Sequence, residues 1–125
     1  MATTTRGVVA SSIDELPEAL GGIARLVRTG LGISAFGVQI FDVPPGVTGP
    51  EHDESETGQE ELYVGLQGGG AVIAGGTDYA LDSDHVVLVA PGTKRALTAG
   101  PGGMRVLCVG GVPGAAYVPP AWTEA

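Results

Sequence analysis

Charged residues are scarce in this sequence, and basic residues are scarcer than acidic ones. Only 16% of the 125 residues are charged, and 6 Lys and Arg against 14 Asp and Glu give a net charge of −8 at pH 7. A protein that binds a nucleic-acid backbone needs the opposite balance, usually concentrated in a basic patch. The composition therefore excludes nucleic acid as a partner.

The sequence also has little cysteine and no long hydrophobic run. Cys108 is the one cysteine, so the chain cannot form an internal disulfide, and its place in the run VLCVGG is typical of a small buried hydrophobic residue. Residues 1–10 lack the apolar segment of a signal peptide, and no later segment approaches the roughly 18 apolar residues of a membrane span. We therefore expect a cytoplasmic protein that is not exported and does not contact a membrane.

Glycine and proline are plentiful, with 22 and 9 copies, and they separate short apolar runs. A chain of this length fits one domain over residues 1–125. No helical pattern separates the runs, so we expect antiparallel strands in a sandwich or barrel and exclude a doubly wound sheet. The predicted strands cover residues 34–43, 61–66, 71–74, 85–90, 95–98 and 105–109.

The two ends of the chain have patterns of their own. Apolar residues at spacings of three and four predict an amphipathic helix over about residues 13–29, with Ser12 and Glu15 as a capping box and Gly30 as its end. The tail over residues 113–125 is too apolar to be free and too rich in proline to be helical. We expect the tail to lie against the barrel or a second subunit.

The segment from residue 51 to residue 61 is the densest in ionisable groups. Six of its eleven residues are acidic, and His52 lies among them. An acidic surface loop has the same composition, but the spacing favours a site. His52 and Glu54 are two residues apart, as are Glu61 and Tyr63, so on neighbouring extended strands each pair would share a face and the three ligands would converge.

This segment resembles the first motif of the cupin superfamily, in which Gly46, His52, Glu61 and Gly68 match in order. The run DHVVLVAPGTKR is similar to the second cupin motif, with Gly92 matching. The resemblance spans about residues 41–109, and the tail resembles those of small actinobacterial single-domain cupins. It implies a jelly-roll β-barrel over about residues 34–118 in an all-β protein, in agreement with the strand pattern.

The departures from the family pattern concern its metal site. The resemblance implies a divalent metal such as Fe, Mn, Ni or Zn, held by three histidines and one glutamate. Here Glu54 replaces one histidine and Arg95 replaces another, so only His52 and Glu61 remain. Glu54 can supply an oxygen, which leaves His52, Glu54 and Glu61 as a possible ligand set. A guanidinium cannot ligate a metal and repels a bound cation.

Three interpretations of Arg95 stay open. Its guanidinium can take the place of the ion and pair bidentately with Glu61 or Glu54. It can instead hold an anionic small molecule while His52 or Glu54 handles a proton. In the third interpretation Arg95 turns away and His52, Glu54 and Glu61 bind a metal. Tyr63, in phase with Glu61, is expected on the inner wall, where its phenol can donate a hydrogen bond to a ligand.

We therefore expect a small-molecule-binding barrel with a degenerate metal site, in which no catalytic residue can be assigned. The alternative is a metal-dependent oxygenase, isomerase or decarboxylase, as the family commonly supplies. The resemblance also implies a homodimer, formed through the N-terminal helix and the tail. His85 is expected in a turn at the surface and outside the site.

Overall fold

The computed structural model describes residues 3–123, and most of them lie in strands. The one α-helix among them is short, and three 3-10 turns cover Ile13–Glu15, Leu20–Gly22 and Ala121–Thr123. In chain order the elements are β1 (Thr3–Thr5), β2 (Val8–Ala10), β3 (Glu18–Ala19), β4 (Ala24–Arg25), α1 (Val27–Leu31), β5 (Gly37–Val43), β6 (Glu60–Ala74), β7 (Thr77–Asp82), β8 (Val86–Val89) and β9 (Ala96–Gly111).

Seven of these strands form one antiparallel sheet. Its order is β3-β4-β5-β9-β6-β7, with β8 paired to β6, while β1 and β2 form a separate hairpin. β6 and β9 pair from Glu60 opposite Gly111 to Ile73 opposite Ala96. β8 lies beside the first half of β6 and β7 beside its second half. The sheet therefore follows the bend of its two longest strands, and the expected all-β architecture is confirmed.

The expectation that glycine separates the strands is wrong for β6 and β9. The triple glycine at residues 68–70 lies inside β6, so the predicted strands 61–66 and 71–74 are one strand. The pairing with β9 shifts register beside Gly68, whose φ is 66°, and a Cβ on Gly70 would overlap the carbonyl oxygen of Thr98. Glycine here allows close strand approach and a bulge instead of ending the strand. β9 likewise joins the predicted strands 95–98 and 105–109.

The predicted helix over residues 13–29 is also wrong. Two 3-10 turns, β3, β4 and the five-residue α1 take its place. Pro17 cannot donate the backbone hydrogen bond of a helix interior. Gly21 and Gly22 adopt φ angles of 68° and 93°, which a right-handed helix does not contain. The helical spacing of the apolar residues was therefore coincidental.

Three apolar residues of this segment, Leu16, Ala24 and Leu26, are buried around a short strand pairing instead. Ala24 and Leu26 are buried, and β4 pairs with β5. Gly30 lies inside α1 and does not end it, contrary to the prediction. Glycine at this position allows the close contact with Leu16, which a Cβ would overlap. Gly32, with φ of 76°, ends the helix. No helix within residues 3–123 has the length and apolar character needed to cross a membrane.

The described part of the C-terminal tail lies against β5 and α1. The ring of Tyr117 covers Gly37, where a Cβ would lie 2.6 Å from the tyrosine hydroxyl. Thr29 donates a hydrogen bond to the carbonyl of Thr123 at 2.7 Å. Residues 124 and 125 of the predicted tail lie outside the described residues, as do residues 1 and 2. The homodimer stays a prediction, and the helix expected at its interface does not form.

The core fills the inside of the curled sheet. Tyr63, with 2% of its surface exposed, packs there among aliphatic and sulfur-containing side chains. The other buried members of the cluster are Val43, Val72, Leu81, Val89, Ala99, Met104, Val106 and Cys108. They come from five strands, so the inner face of the barrel is one continuous apolar core with Tyr63 toward its polar end.

The close approach of β9 to Gly70 can be tested by substitution. We expect Gly70→Ala to lower the free energy of unfolding by about 2 kcal/mol, since β9 must move to admit the methyl group. Gly102→Ala is the matched control, because a Cβ there meets nothing within 4 Å and the change should stay within about 0.5 kcal/mol. Urea unfolding followed by circular dichroism measures both. Equal stability of the two variants would contradict the assigned register.

Candidate functional site

His52 and Arg95 lie opposite each other in a short antiparallel backbone pairing. The amide of His52 donates to the carbonyl of Arg95 at 2.9 Å, and the amide of Arg95 donates back at 2.8 Å. Residues directly opposite in an antiparallel pair present their side chains to the same face. Further along this ladder Thr48 and Thr98 lie opposite each other, and their hydroxyls are 2.8 Å apart. The backbone therefore places Arg95 and His52 side by side.

Glu61, Tyr63 and Cys108 complete this part of the inner wall. Glu61 and Tyr63 are two residues apart on β6, so their side chains share one face. Cys108 of β9 lies opposite Tyr63, and Gly110 lies opposite Glu61. Because Gly110 has no side chain, the amide group of Gln59 can pack against its backbone. A Cβ on Gly110 would lie only 2.5 Å from Gln59 Oε1.

The guanidinium of Arg95 is fully buried, with 0% of its surface exposed. Its Nη2 donates to Glu61 Oε1 at 2.8 Å and its Nε donates to the hydroxyl of Tyr63 at 3.3 Å. Its Nη1 donates to the carbonyls of Thr93 at 2.7 Å and Ala90 at 3.4 Å. A buried charge requires this kind of pairing, because an unpaired one carries a desolvation cost of several kcal/mol.

Glu61 is the shared acceptor of the cluster. Its Oε1 accepts the Tyr63 hydroxyl at 2.8 Å as well as Arg95, and its Oε2 accepts the thiol of Cys108 at 3.4 Å. Burial raises the pKa of the Tyr63 hydroxyl and of the Cys108 thiol, and the charge of Glu61 raises both further. Burial alone would lower the pKa of Arg95, but Tyr63 and Glu61 raise it. Tyr63 and Cys108 are therefore neutral donors to Glu61 at neutral pH.

Glu54 and His52 form the accessible side of the site. Glu54 Oε1 accepts the hydroxyl of Thr57 at 2.9 Å, while its Oε2 lies 3.7 Å from His52 Nε2. The same Nε2 lies 4.0 Å from Glu61 Oε1. His52 Nδ1 is 3.4 Å from the carbonyl oxygen of Pro50. Nε2, on the other side of the ring, faces both carboxylates.

All five residues proposed from the sequence lie together: His52, Glu54, Glu61, Tyr63 and Arg95. Cys108 and Thr57 also contact the carboxylates, and neither is among the site residues predicted from the sequence. Thr57 follows Glu54 by three residues, which is a detectable signal for a local side-chain bond, whereas Cys108 resembles any buried hydrophobic residue. His85 lies apart, more than half exposed and bonded to Asp82 at 2.7 Å.

The pairing of Arg95 differs in one respect from the bidentate geometry expected. A single guanidinium nitrogen contacts Glu61, and the neighbouring Nε contacts Tyr63, which itself donates to the same carboxylate oxygen. The hydroxyl of Tyr63 therefore takes the place of a direct second bond. With its bonds directed to Glu61, Tyr63 and two carbonyls, Arg95 presents no surface to a ligand.

The charge of Arg95 opposes a divalent cation at the three candidate metal ligands, although their donor atoms lie close together. One donor atom each of His52, Glu54 and Glu61 lies within 4.8 Å of the other two, and two of these separations are 3.7 and 4.0 Å. Donors about 2.1 Å from a tetrahedral zinc ion are only about 3.4 Å apart. Glu61 Oε1 is also bonded to Arg95, whose charge would repel a divalent ion at about 4 Å by roughly 8 kcal/mol at an effective dielectric of 20.

Comparisons with solved structures show that this barrel has the fold of cupin proteins. A cupin protein from Bacteroides fragilis aligns over 90% of this chain and 91% of its own, at 21% identity and a TM-score of 0.68. A Cupin 2 conserved barrel domain protein from Salinispora arenicola covers 62% of this chain and 63% of its own, at 19% identity and a TM-score of 0.55. No protein-family model and no curated protein matches the sequence.

A third similar structure, from Thermotoga maritima, is described as a predicted oxalate decarboxylase. It aligns over 70% of this chain and 76% of its own, at 21% identity and a TM-score of 0.58. Identities this low show the fold and not the chemistry. The chain thus has the cupin fold, and the jelly-roll barrel implied by the sequence resemblance is confirmed.

The hydroxyl of Tyr63 both donates to Glu61 and accepts from Arg95, so its removal leaves two buried groups short of a partner. We expect Tyr63→Phe to lower the free energy of unfolding by about 2 kcal/mol. Tyr79→Phe is the matched control at a half-exposed tyrosine and should change it by less than about 0.5 kcal/mol. Urea unfolding distinguishes the two. A Tyr63→Phe protein as stable as the wild type would show that the hydroxyl does not support the buried pair.

Proposed function

We propose that this protein is a small-molecule-binding cupin barrel in which a guanidinium replaces the metal ion. The observation that carries the proposal is the fully buried Arg95, bonded to Glu61 at 2.8 Å. Arg95 stands at the position of a metal-binding histidine in the motif that the sequence resembles. Its charge neutralises a carboxylate that a metal ion would otherwise hold.

This arrangement divides the polar cluster into a structural side and a binding side. Arg95, Tyr63 and Cys108 are buried and hold Glu61 in place. His52 keeps 46% of its side chain exposed and Glu54 keeps 18%, and neither is bonded to Arg95. In the proposed function these two residues and the accessible edge of Glu61 contact the ligand, while the buried residues fix their geometry.

A cavity beside the cluster supports a ligand of small size. It has a volume of about 240 Å³, and every residue that lines it is apolar. Pro50 is one of these residues, and its carbonyl oxygen is the atom that contacts His52 Nδ1. Small-molecule sites commonly combine such an apolar cavity with a few convergent polar groups.

The rival function is a metal-dependent enzyme with His52, Glu54 and Glu61 as ligands. Its support is the donor set itself, since one imidazole and two carboxylates suit first-row metals and lie within 4.8 Å of one another. The predicted oxalate decarboxylase of the same fold illustrates the kind of chemistry in question. This function requires Arg95 to leave Glu61, which the buried network opposes.

The metal content of the purified protein separates the two functions. We expect wild-type protein, incubated with Fe, Mn, Ni or Zn and then desalted, to retain less than about a tenth of an equivalent by mass spectrometry. Arg95→His restores the ligand of the family pattern and removes the repelling charge, so it should retain close to one equivalent and gain thermal stability from it.

Two further variants control for unspecific uptake by this acidic protein. Adding His52→Ala to Arg95→His should abolish the retained metal, whereas adding His85→Ala, far from the cluster, should leave it unchanged. About one equivalent in the wild type that His52→Ala removes would overturn the proposed function and establish the metal site.

A further inference from the structure

The outer face of the sheet has two rows of apolar side chains that cross four strands. Along β5, β6, β8 and β9, residues that face the core alternate with residues that face outward. The cross-strand pairing aligns the outward residues in two rows, the first of Val38, Val109, Leu62 and Leu88 and the second of Ile40, Leu107, Val64 and Val86. An antiparallel sheet with one solvated face has polar residues on that face. These strands are apolar on both faces, which is typical of strands that are covered on both sides.

The chain covers only one end of the two rows. Val38 and Ile40 on β5 are each 5% exposed although neither belongs to the inner core, and α1 contacts this strand. At the other end, Leu62 is 37% exposed, Leu88 63% and Val86 65%. The sheet therefore has a second apolar layer outside the barrel, and the N-terminal segment covers the β5 end of it.

The uncovered residues form one continuous surface, the outer patch. It consists of six aliphatic side chains on three adjacent strands: Leu62, Val64, Val86, Leu88, Leu107 and Val109. Together they expose about 350 Å², the size of the largest apolar patch on a typical monomer, which is often functional. None of the six can donate a hydrogen bond or hold a charge, so the outer patch fits another apolar surface and not a polar ligand.

The area and composition of the outer patch favour a second copy of this chain as its partner. Homodimer interfaces are more apolar than those of partners that also exist apart, at about 65% apolar area. In a two-fold contact both copies use the same patch, which brings together about 700 Å² of apolar surface. At about 65% apolar, the whole interface then covers about 1,100 Å², above the roughly 1,000 Å² that a specific interface needs.

The distribution of charge allows two copies to meet at this face. Each copy has a net charge of −8, so most of their surfaces repel each other. The outer patch has none of these charges. Charged groups begin at its two ends, with Glu60 two residues beyond Leu62 and His85 next to Val86. An apolar centre with a polar rim is the usual anatomy of an interface, and salt screens the charges that stay in solvent.

We propose that the outer patch is the contact surface of a homodimer, in which the sheets of two copies pack face to face about a two-fold axis. The six side chains of each copy interdigitate with the same six of the other, as between the two sheets of a β-sandwich. The second sheet thus covers the end of the outer layer that the N-terminal segment leaves exposed. This interface differs from the one predicted from the sequence at the N-terminal helix and the tail, and it is independent of the proposed function.

Charged substitutions in the full chain test the proposal by analytical ultracentrifugation. We expect the wild type to have twice the chain mass of 12.5 kDa at about 10 μM. Val86→Glu places one carboxylate from each copy in the contact, so the dissociation constant of the dimer should rise at least 100-fold. Val8→Glu is the matched control, since Val8 is 57% exposed on the β1–β2 hairpin outside the patch, and it should change the constant less than threefold.

A milder second variant separates loss of the dimer from loss of the fold. Leu88→Thr keeps a residue that favours strands, so its circular dichroism should match the wild type while the dissociation constant rises about tenfold. A wild type that is monomeric at about 100 μM overturns the proposal. A dimer that neither Val86→Glu nor Leu88→Thr weakens places the interface elsewhere, and equal weakening by Val8→Glu shows general charge repulsion. Either of these results also overturns it.

Discussion

The buried pair of Arg95 and Glu61 is the interaction on which the rest of the site depends. A guanidinium with no exposed surface needs a counter-charge and a partner for its other N–H groups. Glu61 supplies the first, and Tyr63 and the carbonyls of Ala90 and Thr93 supply the others. The turn before β9 must therefore keep its carbonyls directed inward. Because the backbone of Arg95 also pairs with His52, the same constraint sets the position of the imidazole.

A guanidinium and a metal ion can neutralise the same carboxylate, but they differ in whether they can also bind a substrate atom. A metal ion with an open coordination position binds and polarises a substrate atom. Arg95 is a fixed charge whose N–H groups point at protein acceptors, so it offers neither exchangeable ligands nor Lewis acidity. In the proposed function the barrel thus keeps its cavity and its polar wall while the reactive centre is replaced by a rigid one, which suits recognition more than catalysis.

The sequence predicted the fold well where burial alternates along short runs, and it failed where glycine and proline act through contacts. The strands around residues 37–43, 61–66 and 86–89 follow from their apolar pattern. The continuity of β6 through Gly68 does not, since it depends on the approach of β9. The helix predicted from residue 13 had the right periodicity, but Pro17 and the left-handed Gly21 and Gly22 overrode it. The five site residues could be predicted because motif spacing survives in them, whereas the role of Cys108 depends on a cross-strand contact that no spacing records.

Selectivity in the proposed function follows from where the buried network places its charges. With Arg95, Tyr63 and Cys108 all directed at protein acceptors, the accessible wall retains two carboxylates and the half-exposed imidazole of His52. A carboxylate or phosphate ligand would face both carboxylates there, and like charges repel. In the proposed function, the exclusion of anions therefore needs no additional residue. It is a consequence of placing the one positive charge of the site behind its carboxylates instead of in front of them.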